Sequence, residues 1–276
     1  MHGWNFADDR APSLVVGNRR GITPYHGTHC AGTIAANTNN CRGIAGIAGR
    51  WFSSHGCSTS SAPAPPPLSD DDDGAPGSVR LMIAVTFGES RTGGFAEAIA
   101  YAADNGASVS SNSWAYALPG LYDRAVIEAI DYFNAKTHGF VVFAAGNKNS
   151  SSDYYPASSP SVVSVAAVDK DNLKYARSNF GPWVDLAAPG VDVLSTQFDD
   201  GYARLSGTSM ACPHVTGVLA LAKTHAPHLP RHIMLACLHN STDALDSRFD
   251  LGKGLLNATR FLACVQQADD AEKSTT

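Results

Sequence analysis

The residue types best suited to chemistry in this chain are a serine, a histidine and an asparagine in three separate segments. Ser209 lies in segment 207–215, which reads GTSMACPHV and leads into an apolar helical pattern. A serine before a helix is usually only an N-cap. The same position also offers unpaired backbone N–H groups and the positive end of the helix dipole, which favour a developing negative charge. Ser209 is therefore a candidate nucleophile for a reaction that passes through an oxyanion.

A nucleophilic serine needs a base, and the candidate is His26. It opens segment 26–36, HGTHCAGTIAA, which predicts a helix of small residues. Gly27 and Gly32 would weaken an isolated helix, so we expect another backbone to pack very closely against it. His29 is three residues on and shares a helical face with His26, so a metal pair is conceivable. Because no suitable third ligand is near in the sequence and the HExxH pattern is absent, we interpret His26 as a general base.

The third group is Asn147, which follows the apolar run 140–144 and the pair Ala145-Gly146. Standing alone, a Gly-Asn pair after a strand usually makes a turn. Beside a nucleophile, the side-chain amide can instead donate a hydrogen bond to an oxyanion, together with the backbone N–H of Ser209. We therefore predict an oxyanion hole formed by these two donors.

These residues must be positioned by elements that alternate along the chain. Apolar runs predict strands, and apolar residues at helical spacing predict helices between them. We expect strands at 79–87, 107–111, 140–144, 161–168 and 183–188, and helices at 95–105, 122–133, 208–224, 231–238 and 255–265. Strand–helix–strand order predicts an α/β fold with three layers, in which a mostly parallel sheet carries helices on both faces. Ligands in such folds bind beyond the carboxyl ends of the strands, where Asn112 and Asn147 fall.

Composition places limits on the function. The chain has 276 residues, 44% of them hydrophobic, which suits one large domain. Its net charge of -5 gives no basic surface for nucleic acid. No apolar run is long enough to span a membrane, and no signal peptide is visible. We therefore expect neither a nucleic-acid partner nor a membrane.

Two stretches differ from the predicted domain, which we place at 1–266. Segment 52–78 is dominated by Ser, Pro and Asp, which predicts a mobile surface insertion. Its acidic run lacks the ligand spacing of an EF-hand, which favours a solvated loop over a calcium site. The tail 267–276 is polar, and we expect it to be disordered.

Six cysteines are scattered through the chain without any Cys-x-x-Cys pair, which argues against a zinc ribbon or a redox motif. Their even number permits disulfides, and Cys237 with Cys264 is one pairing that we consider. Cys30 and Cys212 lie in the histidine and serine motifs, where we expect buried small thiols.

The three motifs, in this order, resemble the subtilisin-like serine peptidases (subtilases), and the resemblance runs from about residue 2 to residue 256. Cys30 and segment 155–162, YPASSPSV, are similar to the proteinase K branch. The resemblance implies a subtilisin-like fold and a serine endopeptidase that forms an acyl-enzyme on Ser209. His26 would be its general base and Asn147 its oxyanion-hole side chain. It also implies a secreted, extracellular monomer that acts on proteins or peptides and needs no cofactor for its chemistry.

The resemblance further implies a substrate-binding surface. One part would pair with the substrate backbone like an added strand, and the other would form a wall of the pocket for the residue before the scissile bond. The residues concerned are Ser113, Trp114 and Ala115 for the added strand, and Ala144, Ala145 and Gly146 for the pocket wall. The family usually has glycine where Ala115 stands. The small residues of the wall leave room for a large apolar group.

A calcium site is also implied by the resemblance to the proteinase K branch. The matching positions are the backbone carbonyls of Pro160 and Val162 and the carboxylate of Asp185, and such hard oxygen ligands suit calcium. The alternative is that Asp185 is simply hydrogen-bonded within a loop. Both interpretations remain open at this point.

One catalytic residue of the family has no counterpart in this sequence. A subtilase carries an Asp in an Asp-Ser/Thr-Gly context before its histidine, and residues 1–25 contain no such motif. Asp8 and Asp9 are poor substitutes because they lie in a polar stretch. We therefore expect an N-terminally truncated sequence that lacks the first strand. The alternatives are a non-catalytic subtilase-like protein that binds peptides, or an inactive fragment.

Overall fold

The computed structural model describes residues 3–9, 25–51, 79–88, 92–198 and 200–275. The insertion predicted at 52–78 lies outside the described residues, so its character stays a prediction.

Strands and helices alternate along the described part of the chain. Its strands are β1 (Gly3–Asn5), β2 (Ile83–Val85), β3 (Val109–Asn112), β4 (Phe140–Ala144), β5 (Val163–Val168), β6 (Leu186–Pro189), β7 (Val193–Thr196) and β8 (Tyr202–Leu205). Its helices are α1 (Tyr25–Ala35), α2 (Phe95–Asp104), α3 (Arg124–Thr137), α4 (Thr208–His225), α5 (Arg231–Asn240) and α6 (Ala258–Thr275).

The central sheet is parallel and has the strand order β3-β4-β5-β6. Its register pairs Val109 with Phe140, and Val165 with Leu186. Parallel neighbours need a crossover connection, which α3 provides between β3 and β4. Two smaller units accompany this sheet: β1 pairs with β2 in parallel, and β7 forms an antiparallel hairpin with β8.

Side chains of β4 alternate between two helical layers, one on each face of the sheet. Val142 packs in a cluster that includes Leu219 of α4. Val141 and Phe143 point to the other face and pack in a cluster with Phe133 of α3. A strand that is buried on both faces explains the continuous apolar run in its sequence. The predicted three-layer α/β fold, with helices on both faces of a parallel sheet, is confirmed.

Helix α4 crosses the core and brings its first turns to the carboxyl end of the sheet. The buried Sγ of Cys212 lies 3.7 Å from the carbonyl oxygens of Asn112, the last residue of β3, and of Val142 in β4. The sheet edge and the helix start therefore meet at one place, as expected for a ligand site in a parallel α/β fold.

The predicted strand 79–87 is much shorter in the structure, where only Ile83–Val85 is a strand. Ile83 is 39% exposed, so the expectation of a buried strand was wrong. Within the described residues β2 pairs only with β1, which leaves it without the cover that the central strands receive. Residues 3–5, for which we predicted no strand, form that partner strand.

The last helix also departs from the sequence prediction. It begins at Ala258 and continues to Thr275, although we predicted an end at Val265 and a disordered tail. The polar tail residues form pairs four positions apart along the helix, between Lys273 and Asp269 and between Gln266 and Asp270. Such pairs stabilise a helix whose outer face is polar.

The cysteines behave largely as expected. Cys237 and Cys264 form a disulfide between α5 and α6, with Cα atoms 5.6 Å apart. Cys30 and Cys212 are free thiols, the first partly buried and the second fully buried. No helix in the described ranges is long and apolar enough to cross a membrane.

Candidate active site

Ser209 lies in the first turn of α4, where its carbonyl bonds to side chains from other segments. Pro213 is four residues further along the helix and has no N–H, so the carbonyl of Ser209 lacks its helical donor. Pro213 falls in the second turn of the helix. The carbonyl instead accepts from Ser113 Oγ at 2.9 Å and from Cys30 Sγ at 3.4 Å. Two other segments are thereby tied directly to Ser209.

Asn147 follows β4 and is fixed beside the start of α4. Its Oδ1 accepts hydrogen bonds from the backbone N–H of Thr208 at 3.0 Å and from the Thr208 hydroxyl at 3.2 Å. The Thr208 hydroxyl in turn accepts from the N–H of Gly146 at 3.0 Å. The carboxamide of Asn147 is thereby fixed beside Thr208, the residue directly before Ser209.

His26 lies in the first turn of α1, the helix that packs against α4 through Cys30. Burial lowers the pKa of His26, and the neighbouring His29 lowers it further by charge repulsion. The imidazole is therefore neutral at neutral pH, as a base requires. Within the described residues, the Ser209 hydroxyl donates to the Ser113 carbonyl at 3.4 Å, and no hydrogen bond joins it to His26. The absence of this bond does not exclude His26 as a base, because catalytic hydrogen bonds often form only once a substrate is bound.

A carboxylate partner for His26 is absent from the part of the chain that the structure describes. Asp8 accepts from the side chain of Asn5 at 3.3 Å, and Asp9 accepts from Trp4 Nε1 at 3.3 Å. These hydrogen bonds join both aspartates to β1, and the expectation that they are poor substitutes stays a prediction.

The residues predicted to pair with substrate lie directly beside Ser209. The hydroxyl of Ser113 bonds to Ser209, and Ala115 is exposed at the end of this segment. Between them Trp114 donates to Asn112 Oδ1 at 3.1 Å and stacks on Phe95 with ring centroids 4.3 Å apart. Aromatic stacking and a hydrogen bond thus fix the direction of the segment.

The predicted pocket wall continues from β4. Ala144 and Ala145 are buried, while Gly146 is partly exposed and adopts a φ of 104°. An added Cβ at Gly146 would lie 2.5 Å from Asn179 Nδ2, so a larger residue does not fit there.

Comparison with known proteins identifies the family. The sequence model of the Subtilase family (peptidase S8) matches residues 18–257. This chain belongs to the subtilase family. The subtilase is 36% identical over 224 residues to a thermophilic serine proteinase of Bacillus sp. (strain AK1), which covers 80% of the chain and 46% of that protein. It is 34% identical over 260 residues to thermitase of Thermoactinomyces vulgaris, which covers 93% of the chain and 78% of thermitase.

A solved structure of proteases from Pseudoalteromonas arctica matches the subtilase with a TM-score of 0.75 and 26% identity. The match covers 96% of this chain and 84% of that one. The subtilase thus spans most of the solved chain, but only about half the length of the Bacillus relative.

Asp185, the one carboxylate among the residues implied for calcium in this subtilase, is already engaged by groups of the protein. One carboxylate oxygen of Asp185 accepts from the N–H of Ser164 at 2.8 Å, and the other lies 3.0 Å from His239 Nε2. Calcium takes six to eight oxygen ligands, whereas this carboxylate is engaged by a backbone N–H and an imidazole. Among the described residues, no group of three or more His, Cys, Asp or Glu could hold a metal. The interpretation of Asp185 as a hydrogen-bonded loop residue fits the structure better.

Sequence reasoning missed Thr208, whose side chain joins Asn147 to the start of α4. Its hydroxyl bonds to the Gly146 N–H rather than within its own helix. The available signal was its place immediately before Ser209, because a threonine at a helix start commonly uses its hydroxyl to bond a backbone N–H.

His29 supports the candidate site by hydrogen bonds to the backbone, and its contacts are not those of a metal ligand. Its Nε2 lies 2.9 Å from the Val193 carbonyl and 3.1 Å from the Ala203 carbonyl, so this nitrogen carries the hydrogen. The Ser195 hydroxyl donates to the His29 carbonyl at 2.8 Å. The hairpin β7–β8 therefore holds α1 in place just before the chain enters α4.

Proposed function

We propose that this protein is a serine endopeptidase in which Ser209 is the nucleophile, His26 the general base and Asn147 the oxyanion-hole side chain. One observation carries the proposal. Ser209 starts a helix at the carboxyl end of a parallel sheet, with Asn147 held beside it through Thr208. Membership of the subtilase family supports the same roles.

The proposed reaction is acyl transfer to water. Ser209 Oγ bonds to the carbonyl carbon of the peptide while His26 takes the hydroxyl proton. Asn147 Nδ2 and the N–H of Ser209 donate hydrogen bonds to the oxygen that becomes negative. His26 then gives the proton to the leaving amine as the C–N bond breaks. Water repeats the sequence and releases the acid from Ser209.

The substrates that we propose are proteins or peptides bound in extended form. Ser113, Trp114 and Ala115 are fixed beside the nucleophile and offer their backbone to a strand-like substrate. Ala144, Ala145 and Gly146 would line the pocket for the preceding side chain, and their small size suits a large apolar group.

We also propose that the enzyme works as an extracellular monomer of the proteinase K branch, without nucleic-acid or membrane partners. The Cys237–Cys264 disulfide supports an oxidising compartment. A net charge of -5 disfavours nucleic acid. Cys30 next to the histidine motif supports the branch.

A second candidate function is peptide binding without turnover. It is favoured by the lack of a carboxylate at His26 within the described residues. Such a carboxylate fixes the histidine tautomer and stabilises the imidazolium. In subtilisin itself, loss of the aspartate lowers turnover by about 3 × 10⁴, which is less than loss of the serine or the histidine.

A fluorophosphonate probe combined with a peptide assay distinguishes the two functions. We expect the probe to modify Ser209, as located by peptide mass spectrometry, and p-nitroanilide peptides to be hydrolysed. Ser209→Ala should abolish both signals. Ser206→Ala, which alters an exposed serine three residues earlier, should keep them.

Failure to modify Ser209 in a protein with a cooperative thermal transition would overturn both the nucleophile and the endopeptidase. Retention of peptide binding with no hydrolysis would establish the second candidate.

A further inference from the structure

The loop that carries Asn147 is bound on both sides of this residue to one neighbouring segment. We define the oxyanion loop as residues 145–150 and the support segment as residues 177–180. The N–H of Asn149 donates to the Arg177 carbonyl at 2.8 Å, and the N–H of Phe180 donates to the Ser150 carbonyl at 3.1 Å. These backbone bonds attach the far end of the oxyanion loop to the support segment.

Asn179 makes the remaining contacts and uses every polar atom of its side chain. Its Nδ2 donates to the Ala145 carbonyl at 2.9 Å, before Asn147 in the chain. Its Oδ1 accepts from the N–H of Lys148 at 2.9 Å and of Ser150 at 3.2 Å, after Asn147. One amide therefore binds the loop on both sides of the oxyanion residue.

The position of Asn179 makes this contact rigid. The residue is fully buried, and its own N–H donates to the Gly146 carbonyl at 2.8 Å. The missing side chain of Gly146 is what allows such a close approach, since a Cβ there would lie 2.5 Å from Asn179 Nδ2. A buried amide with both of its polar atoms hydrogen-bonded favours one arrangement of the groups around it.

Lys174 adds a further contact between the oxyanion loop and the support segment. Its Nζ donates to Asn149 Oδ1 at 2.8 Å and to the Ser178 carbonyl at 2.9 Å, so it joins the oxyanion loop to the support segment. The ammonium also lies 4.6 Å from the ring centroid of Phe249 and 5.4 Å from that of Phe180. Cation–π contacts of this geometry are attractive.

We propose that Asn179 is a positioning residue that holds the oxyanion loop so that Asn147 Nδ2 points at the developing oxyanion. The inference rests on the proposed endopeptidase function for its catalytic consequence. Asn147 touches the reacting atoms, whereas Asn179 acts only through the loop. A displacement of about 1 Å in a catalytic group can cost about 10² in rate.

Enzyme kinetics test the proposal through a double-mutant cycle. Asn179→Ser shortens the side chain so that it no longer reaches the loop, and we expect kcat to fall about 10²-fold with KM nearly unchanged. In that background, Asn147→Ala should have little further effect, because its donor is already displaced. Asn134→Ser is the matched control: it shortens another partly buried asparagine, whose Nδ2 bonds to the Ser161 carbonyl. Additive effects of Asn179→Ser and Asn147→Ala would overturn the inference, as would an unchanged kcat.

Hydrogen–deuterium exchange of the oxyanion loop tests the structural claim without any need for activity. We expect Asn179→Ser to speed exchange at Lys148 and Ser150, while Asn134→Ser leaves both unchanged. Asn179→Asp keeps the acceptor for these amides but places a carboxylate against the Ala145 carbonyl, so it serves if Asn179→Ser fails to fold. Unchanged exchange in both variants refutes the positioning role. The wild-type protein could hydrolyse no peptide while Asn179→Ser still shows faster exchange at Lys148 and Ser150. That outcome would refute the proposed function and leave the positioning role intact.

Discussion

Ser113 Oγ donates a 2.9 Å hydrogen bond to the carbonyl oxygen of Ser209, and so replaces a bond that the helix cannot make. The N–H that would normally serve this carbonyl belongs to position 213, where the residue is proline. A proline inside a helix usually destabilises it. Here its cost is offset by a contact that joins the nucleophile to the edge proposed to bind substrate.

The Ser113–Ser209 contact predicts a loss of stability on removal of the hydroxyl. In Ser113→Ala the Ser209 carbonyl keeps only the weaker thiol donor Cys30, and a poorly satisfied partly buried carbonyl costs about 1–3 kcal/mol. Urea unfolding should show a decrease of this size, and Ser113→Thr should restore most of it. Equal stability of the alanine and threonine variants would contradict the prediction.

The buried position of His26 predicts an unusual pH dependence. Burial lowers its pKa, with His29 adding repulsion, so the neutral base persists below the ordinary value of 6.5. We therefore expect the acidic limb of kcat/KM to have its midpoint below pH 6.5. The rate of modification of Ser209 by a fluorophosphonate should follow the same curve. His228→Gln, at an exposed histidine, should leave the curve in place, whereas a wild-type midpoint above pH 7 would contradict the assignment.

Two glycines of α1 predict opposite effects on stability. A Cβ at Gly32 would lie 2.1 Å from Thr196 Oγ1 and 2.6 Å from Ser195 Oγ, so Gly32→Ala should destabilise by about 1–3 kcal/mol through overpacking. No atom of the described residues lies within 4 Å of a Cβ at Gly27, so Gly27→Ala should stabilise by up to about 1 kcal/mol through helix propensity. Urea unfolding of the two variants measures both signs. Equal changes in the free energy of unfolding would show that helix propensity, rather than contact with β7, determines the effect of alanine at both positions.

The disulfide between α5 and α6 predicts that the effects of its two cysteine substitutions on stability are not additive. Its cysteines are 27 residues apart, so its loss should cost about 3–4 kcal/mol. Cys237→Ala and Cys264→Ala should each lose the full stabilisation by the disulfide. The free energy of unfolding of the double variant, measured by urea unfolding, should be little lower than that of either single variant. Free energies that simply add would indicate that packing of the side chains matters more than the covalent link.

The sequence was sufficient for the features that depend on local pattern. The continuous apolar run of β4 predicted its bounds, and the start of α4 at Thr208 followed from small residues before an apolar face. Both patterns are reliable predictors, because burial in the core requires apolar residues at these positions. The exposure of Ile83 was not predictable, since it depends on which strands lie beside β2 rather than on its own residues.

The residues of the candidate site also differ in how well the sequence predicts them. Ser209, His26 and Asn147 stand out by residue type, but the residues that support them are ordinary in sequence. Asn179 looks like a loop asparagine until the fold brings it against Gly146, and Thr208 looks like a simple helix cap. Their partners are far away in the chain, so a local pattern can show that Thr208 bonds a backbone N–H but not which one, and it shows nothing of the contacts of Asn179.

The contact between Cys30 and Ser209 spans 179 residues of chain. Contacts that are so distant close late in folding, because a long loop must first be ordered. A chain still emerging from the ribosome therefore carries His26 long before Ser209 has been added. The proposed peptidase activity would arise only in the finished fold, when few of the protein's own bonds remain extended enough to be cut.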